Sequence, residues 1–95
     1  MRIYWSETAT SHLVALFEYI ARDSRFYAER VVDRLTRRSQ QIGQFPHSGR
    51  AVPEVEDDRI REVIEAPYRI IYRLSDDRVD ILAVVHSAQS GLPEL

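Results

Sequence analysis

The sequence contains no cysteine and no lysine. Without cysteine there can be no disulfide, no thiolate metal ligand and no thiol nucleophile. Without lysine, every basic side chain apart from histidine is an arginine: 13 of them face 15 acids, for a formal net charge of −2. That balance argues against a protein that coats DNA or RNA through its bulk field, although a local arginine patch remains possible. Direct DNA binding by the chain alone is therefore not expected. No run of about 18 apolar residues is present, so no membrane-spanning helix is expected. The opening Met-Arg-Ile-Tyr-Trp-Ser-Glu lacks the apolar core of a signal peptide. These absences together point to a cytoplasmic protein. Internal repeats and low-complexity segments are also missing.

What is present suits one small globular domain, residues 1–95. The apolar fraction is 44% over 95 residues, and two domains of half that length could not each bury a useful core. Arg2–Trp5 reads as a strand. Ser6 is a good N-cap, and Glu7 sits where a helix dipole favours an anion. Leu13, Leu16, Phe17 and Ile20 then recur at helical spacing, which predicts an amphipathic helix to about Arg22. Asp23-Ser24 offers a second N-cap. Ala28, Val31, Leu35 and Ile42 form the next stripe, which ends before Phe45-Pro46 because proline disfavours helix in the residue before it. So short a link makes the two helices an antiparallel hairpin.

Residues 47–53 read as a loop and Glu54–Asp58 as a solvated acidic stretch. Three strands are expected after them, over Arg59–Glu65, Tyr68–Leu74 and Val79–His86, with Ala66-Pro67 and Ser75–Arg78 as breaks. The fold class is α+β with the order β-α-α-β-β-β. The helical hairpin packs on one face of a small, mainly antiparallel sheet. Alternation along the middle strand sends Tyr68, Ile70, Tyr72 and Leu74 towards the helices. Arg69, Ile71 and Arg73 go to the other face, which is expected to be open to solvent.

No metalloprotease, phosphate-loop, nucleophile-elbow or dinucleotide motif occurs. The three histidines are scattered, so no metal and no cofactor are expected, and each histidine reads as a surface or capping group. A ribonuclease-type site would need a base, an acid and cations around phosphate. His86 and Arg69 are the candidates for such catalytic roles, with Arg61 and Arg73 as further phosphate holders. His86 is assigned to the same strand face as Leu82 and Val84. On the second helix, Arg30, Arg34 and Arg38 recur every four residues and line one face, beside an expected Asp33–Arg37 pair. That stripe is either a solvated face or a docking surface for an acidic partner.

Several segments, in order, carry a family likeness: Trp5-Ser-Glu-Thr-Ala9, Phe17-Glu-Tyr-Ile20, Phe45-Pro-His-Ser-Gly-Arg50, Ile60-Arg-Glu62, Pro67-Tyr-Arg-Ile-Ile-Tyr72 and Ile81-Leu-Ala-Val-Val-His86. Through them the chain resembles toxins of the ParE branch of the RelE/ParE superfamily. The resemblance implies the toxin of a type II toxin–antitoxin pair, neutralised by a ParD-like antitoxin that wraps it. Leu13, Phe17, Arg30, Arg34 and Arg38 are the antitoxin contacts expected on that basis.

Superfamily members of the RelE kind cleave mRNA on the ribosome, whereas ParE-like members poison DNA gyrase. Arg69 matches the arginine that follows the middle-strand tyrosine in the RelE-like pattern. Gln89 stands where an arginine is expected, however, and the tail has no tyrosine. Growth inhibition through gyrase, without catalysis, is therefore the leading expectation. Arg61, Arg69, Arg73, His86 and Gln89 would form the target-binding surface, and Arg69→Ala would reduce toxicity with the fold nearly intact. A RelE-type, ribosome-dependent mRNA endonuclease is one alternative. The other is a decayed toxin that only binds its antitoxin.

Overall fold

The structure, a computed structural model, describes residues 1–89 and 91–95. In chain order the elements are β1 (Arg2–Trp5), α1 (Glu7–Ala21), α2 (Arg25–Gln44), β2 (Arg50–Ala51), β3 (Ile60–Glu65), β4 (Tyr68–Leu74) and β5 (Arg78–His86). Both helices start where their capping chemistry dictates. Ser6 Oγ accepts from the Ala9 amide at 3.0 Å, and Ser24 Oγ accepts from the Tyr27 amide at 3.1 Å. α2 stops at Gln44, one residue short of Phe45-Pro46.

The sheet has five strands in the order β1-β5-β4-β3-β2. β1 runs parallel to β5, and the other neighbours are antiparallel. The parallel pair follows from topology, because the helical hairpin carries the chain from β1 across the sheet before the last three strands form. The predicted loop over 47–53 contains one element not expected from sequence, the two-residue strand β2, paired with Arg61 and Glu62 of β3. Gly49 leads into it. A Cβ there would collide with the Tyr72 hydroxyl and lie 2.8 Å from the Glu62 carbonyl oxygen, so only glycine lets β2 approach this closely.

The helix-facing side of the sheet holds the main core. Tyr68, Ile70 and Tyr72 of β4 meet Val31, Leu35 and Ile42 of α2, with Leu74 at the margin. The middle-strand alternation is therefore as expected on this face. The opposite face is not open. Ile60, Ile71, Ala83 and Val85 form a second apolar cluster, covered by Val52 and Val55 and by Leu92 from the tail. Arg69 on that face is 9% exposed.

A register shift between Ile71 and Tyr72 explains a further departure. Ile71 pairs with Ala83 and Tyr72 with Ile81, which leaves Leu82 as the extra residue of a β-bulge. Leu82 joins the second cluster, while Val84 stays in the main core. Leu82 therefore leaves the expected shared face while Val84 and His86 keep it, because the bulge inverts the alternation after Leu82.

Candidate functional site

The back of the sheet carries an ionic group that begins with a residue the sequence reading had not singled out. Glu62 shares the back face of β3 with Ile60 and Ile64, and its side chain is 0% exposed. A buried carboxylate is costly unless cations pair with it, and here two arginines do. Arg69 Nε donates to Glu62 Oε1 at 2.6 Å, and Arg50 Nε donates to Glu62 Oε2 at 2.7 Å. Their placement follows from register: Arg50 lies directly opposite Glu62 in β2, and Arg69 lies in β4 two residues from Ile71, the residue opposite Glu62, on the same face.

The outer edge of the Arg69 guanidinium is also filled. Its Nη1 and Nη2 donate to the two Glu54 oxygens, each at 2.9 Å, in a fork-to-fork pair. The Arg69 guanidinium holds the Glu54 carboxyl below its usual range. The Glu54 pair, with Glu62 behind it, pushes the Arg69 pKa further up. The stretch expected to be merely solvated is thus anchored. Asp57, also held low, pairs with Arg59 at 3.2 Å.

The five residues expected to form one target surface fall into separate places. Arg69 and Arg73 lie on the back of the sheet, and Arg73 makes no salt bridge among the described residues. Arg61 pairs across the ladder with Tyr72, so it shares the helix-facing side, where its Nη1 donates to the Gly49 carbonyl at 3.0 Å. The Tyr72 hydroxyl accepts from the Gly49 amide at 3.0 Å and donates to the Pro46 carbonyl at 2.7 Å. Burial pushes the Tyr72 phenol pKa up.

His86 and Gln89 border a cleft between α1 and the end of β5, together with His12, Leu16, Tyr19 and Tyr68. The His86 ring stands edge-on to Tyr68, with centroids 5.6 Å apart. Both imidazoles act as backbone caps: His86 Nδ1 accepts from the Ala88 amide at 3.0 Å, and His12 Nδ1 accepts from the Val84 amide at 3.2 Å. The two catalytic candidates, Arg69 and His86, therefore lie on opposite faces of the sheet.

The helical candidates also separate. Leu13 and Phe17 line a shallow apolar groove of about 320 Å³ with Val14 and Val32. Arg30 stacks over the exposed Phe26 ring at 5.7 Å. Arg34 and Arg38 turn inward to Glu65 at 3.3 and 3.9 Å, and Arg34 also donates to the Ala66 carbonyl at 2.7 Å. The Asp33–Arg37 pair forms at 3.1 Å. No group of residues suited to hold a metal ion is found among the described residues.

The molecule is a helical hairpin on a five-stranded mixed sheet, closed behind by an arginine–glutamate group. A solved structure described as a chromosomal ParDE TA system from P. aeruginosa superposes with a TM-score of 0.75, covering 90% of this chain and 95% of that one at 20% identity. Y4kP of Sinorhizobium fredii is 35% identical over 88 residues, covering 93% of this chain and 90% of its own length. Toxin RelE2 of Caulobacter vibrioides is 29% identical over 89 residues, covering 93% of this chain and 97% of its own. The profile of the family described as "ParE toxin of type II toxin-antitoxin system, parDE" matches residues 3–91. The chain belongs to this family of type II toxins.

Proposed function

We propose that the protein arrests growth in the cytoplasm by binding and poisoning DNA gyrase, and that a ParD-like antitoxin neutralises it. The observation that supports binding over catalysis is the separation of Arg69 from His86. An endonuclease needs its acid–base group and its phosphate-holding cation on the same scissile bond. Here the sheet lies between them, and Arg69 already holds two carboxylates. For antitoxin contact, the reading favours the apolar groove at Leu13 and Phe17 and the outward Arg30. Arg34 and Arg38 are engaged by Glu65 and would join only at the rim.

The test is a supercoiling assay with purified toxin freed of antitoxin. The expected result is loss of supercoiling with accumulation of cleaved DNA, both reversed by added antitoxin. Gyrase that supercoils normally at saturating toxin would reject the proposal. Ribosome-bound mRNA cut in a His86-dependent way would put the nuclease reading in its place.

A further inference from the structure

Between β2 and β3 the chain forms a strap across the back of the sheet. From Pro53 to Glu56 its one backbone hydrogen bond among the described residues is local, Val55 N–H to Val52 O at 3.1 Å. Side chains hold it down. Val52, 2% exposed, and the half-buried Val55 enter the second apolar cluster, and Glu54 grips Arg69. A segment attached this way is of the kind that opens locally.

The ionic groups beneath also have partners of their own. Glu62 fixes Arg69 through Nε, and Arg50 pins Glu62 from the other side. If Glu54 withdraws, Arg69 Nη1 loses its partner and Nη2 keeps only Glu62. Two arginines then face one carboxylate, so the site carries one uncompensated positive charge beside an apolar patch. Such a site calls for an anion flanked by apolar groups.

We propose that the strap is an internal ligand. In this reading the back of the sheet is a docking site for an extended acidic segment of a protein partner, and that segment displaces the strap. The strap itself specifies the occupant: an apolar residue, a spacer, a carboxylate and a second apolar residue, as in Val52-Pro-Glu-Val55. The inference rests on this surface alone and not on the gyrase reading.

The test uses the full-length chain carrying Glu54→Ala and the acetylated, amidated peptide Ala-Val-Pro-Glu-Val-Glu, which copies residues 51–56. The Arg69 Nε–H resonance reports occupancy. The peptide should shift it saturably in the variant, binding at least about tenfold more tightly than to wild type, where the strap competes. A peptide with the first glutamate changed to glutamine should not bind. Should Glu54→Ala fail to fold, Glu54→Gln keeps the strap's shape and gives the same comparison. An unmoved resonance in a folded variant would overturn the proposal. So would inorganic phosphate acting as well as the peptide, because the site would then read charge alone.

Discussion

Glu62 and Arg69 decide more at the residue scale than their sequence context suggests. Arg69 is one of two cations on a carboxylate with no solvent access. Removing one partner of a buried pair leaves the other charge uncompensated, a cost of roughly 3–5 kcal/mol. Total stability for a small domain is only about 5–15 kcal/mol. Arg69→Ala should therefore lower stability in urea unfolding by roughly 2–3 kcal/mol, below the full cost because Arg50 stays on Glu62. The sequence-based expectation of an intact fold does not allow for this burial. Any loss of toxicity in that variant must be compared with the loss of folded protein. A wild-type unfolding midpoint for Arg69→Ala would show that Arg50 alone suffices for Glu62.

Among the elements, the strap has the clearest dependence on pH. Arg69 lowers the folded-state pKa of Glu54, and Arg59 does the same for Asp57. A lowered carboxylate contributes stability above its unfolded value, and that contribution is lost as pH falls through the folded value. The strap should thus stay closed at neutral pH and loosen below about pH 4, the ordinary carboxylate range. Hydrogen exchange at the Val55 amide, corrected for the intrinsic rate, should show protection falling on acidification while β4 remains protected. Glu54→Gln should flatten that profile. Equal protection at pH 3 and pH 7 would mean that the apolar contacts of Val52 and Val55 hold the strap without help from charge.

For the whole molecule, the radius of gyration of 12.9 Å is close to the roughly 12 Å expected at this length. Val52, Val55 and Leu92 lie against the second apolar cluster, so both faces of the sheet carry apolar packing. Exposed apolar surface is concentrated on the helical hairpin, with Val14 52%, Tyr19 69% and Phe26 70% exposed. A patch of this kind on a small protein marks an interaction site. Phe17→Asp, which charges the hairpin groove, should weaken antitoxin binding by about 2 kcal/mol in calorimetry, the scale of a central interface residue. On the proposed gyrase reading, inhibition by that variant should persist and become harder for antitoxin to reverse. Unchanged antitoxin affinity would move the docking surface elsewhere, with the cleft bordered by Tyr19, Tyr68 and His86 the next place to test.

Local and periodic features were legible without coordinates. Ser6 and Ser24 cap their helices, Pro46 limits α2, and the alternation Tyr68, Ile70, Tyr72 faces the core. These depend on neighbours within a few residues, so a linear pattern contains them. The order β-α-α-β-β-β and the family likeness followed from the same segments. Long-range outcomes were not legible. Nothing near Leu82 in sequence announces the bulge, because it arises from the register between β4 and β5. Glu62 did carry a signal, an acid on the same strand face as two isoleucines that had to find a cation. Which cation it found was set by register, with Arg50 opposite and Arg69 adjacent. The separation of Arg69 from His86, on which the functional reading turns, depends on which face each strand residue occupies after the bulge, and only packing the whole sheet decides that.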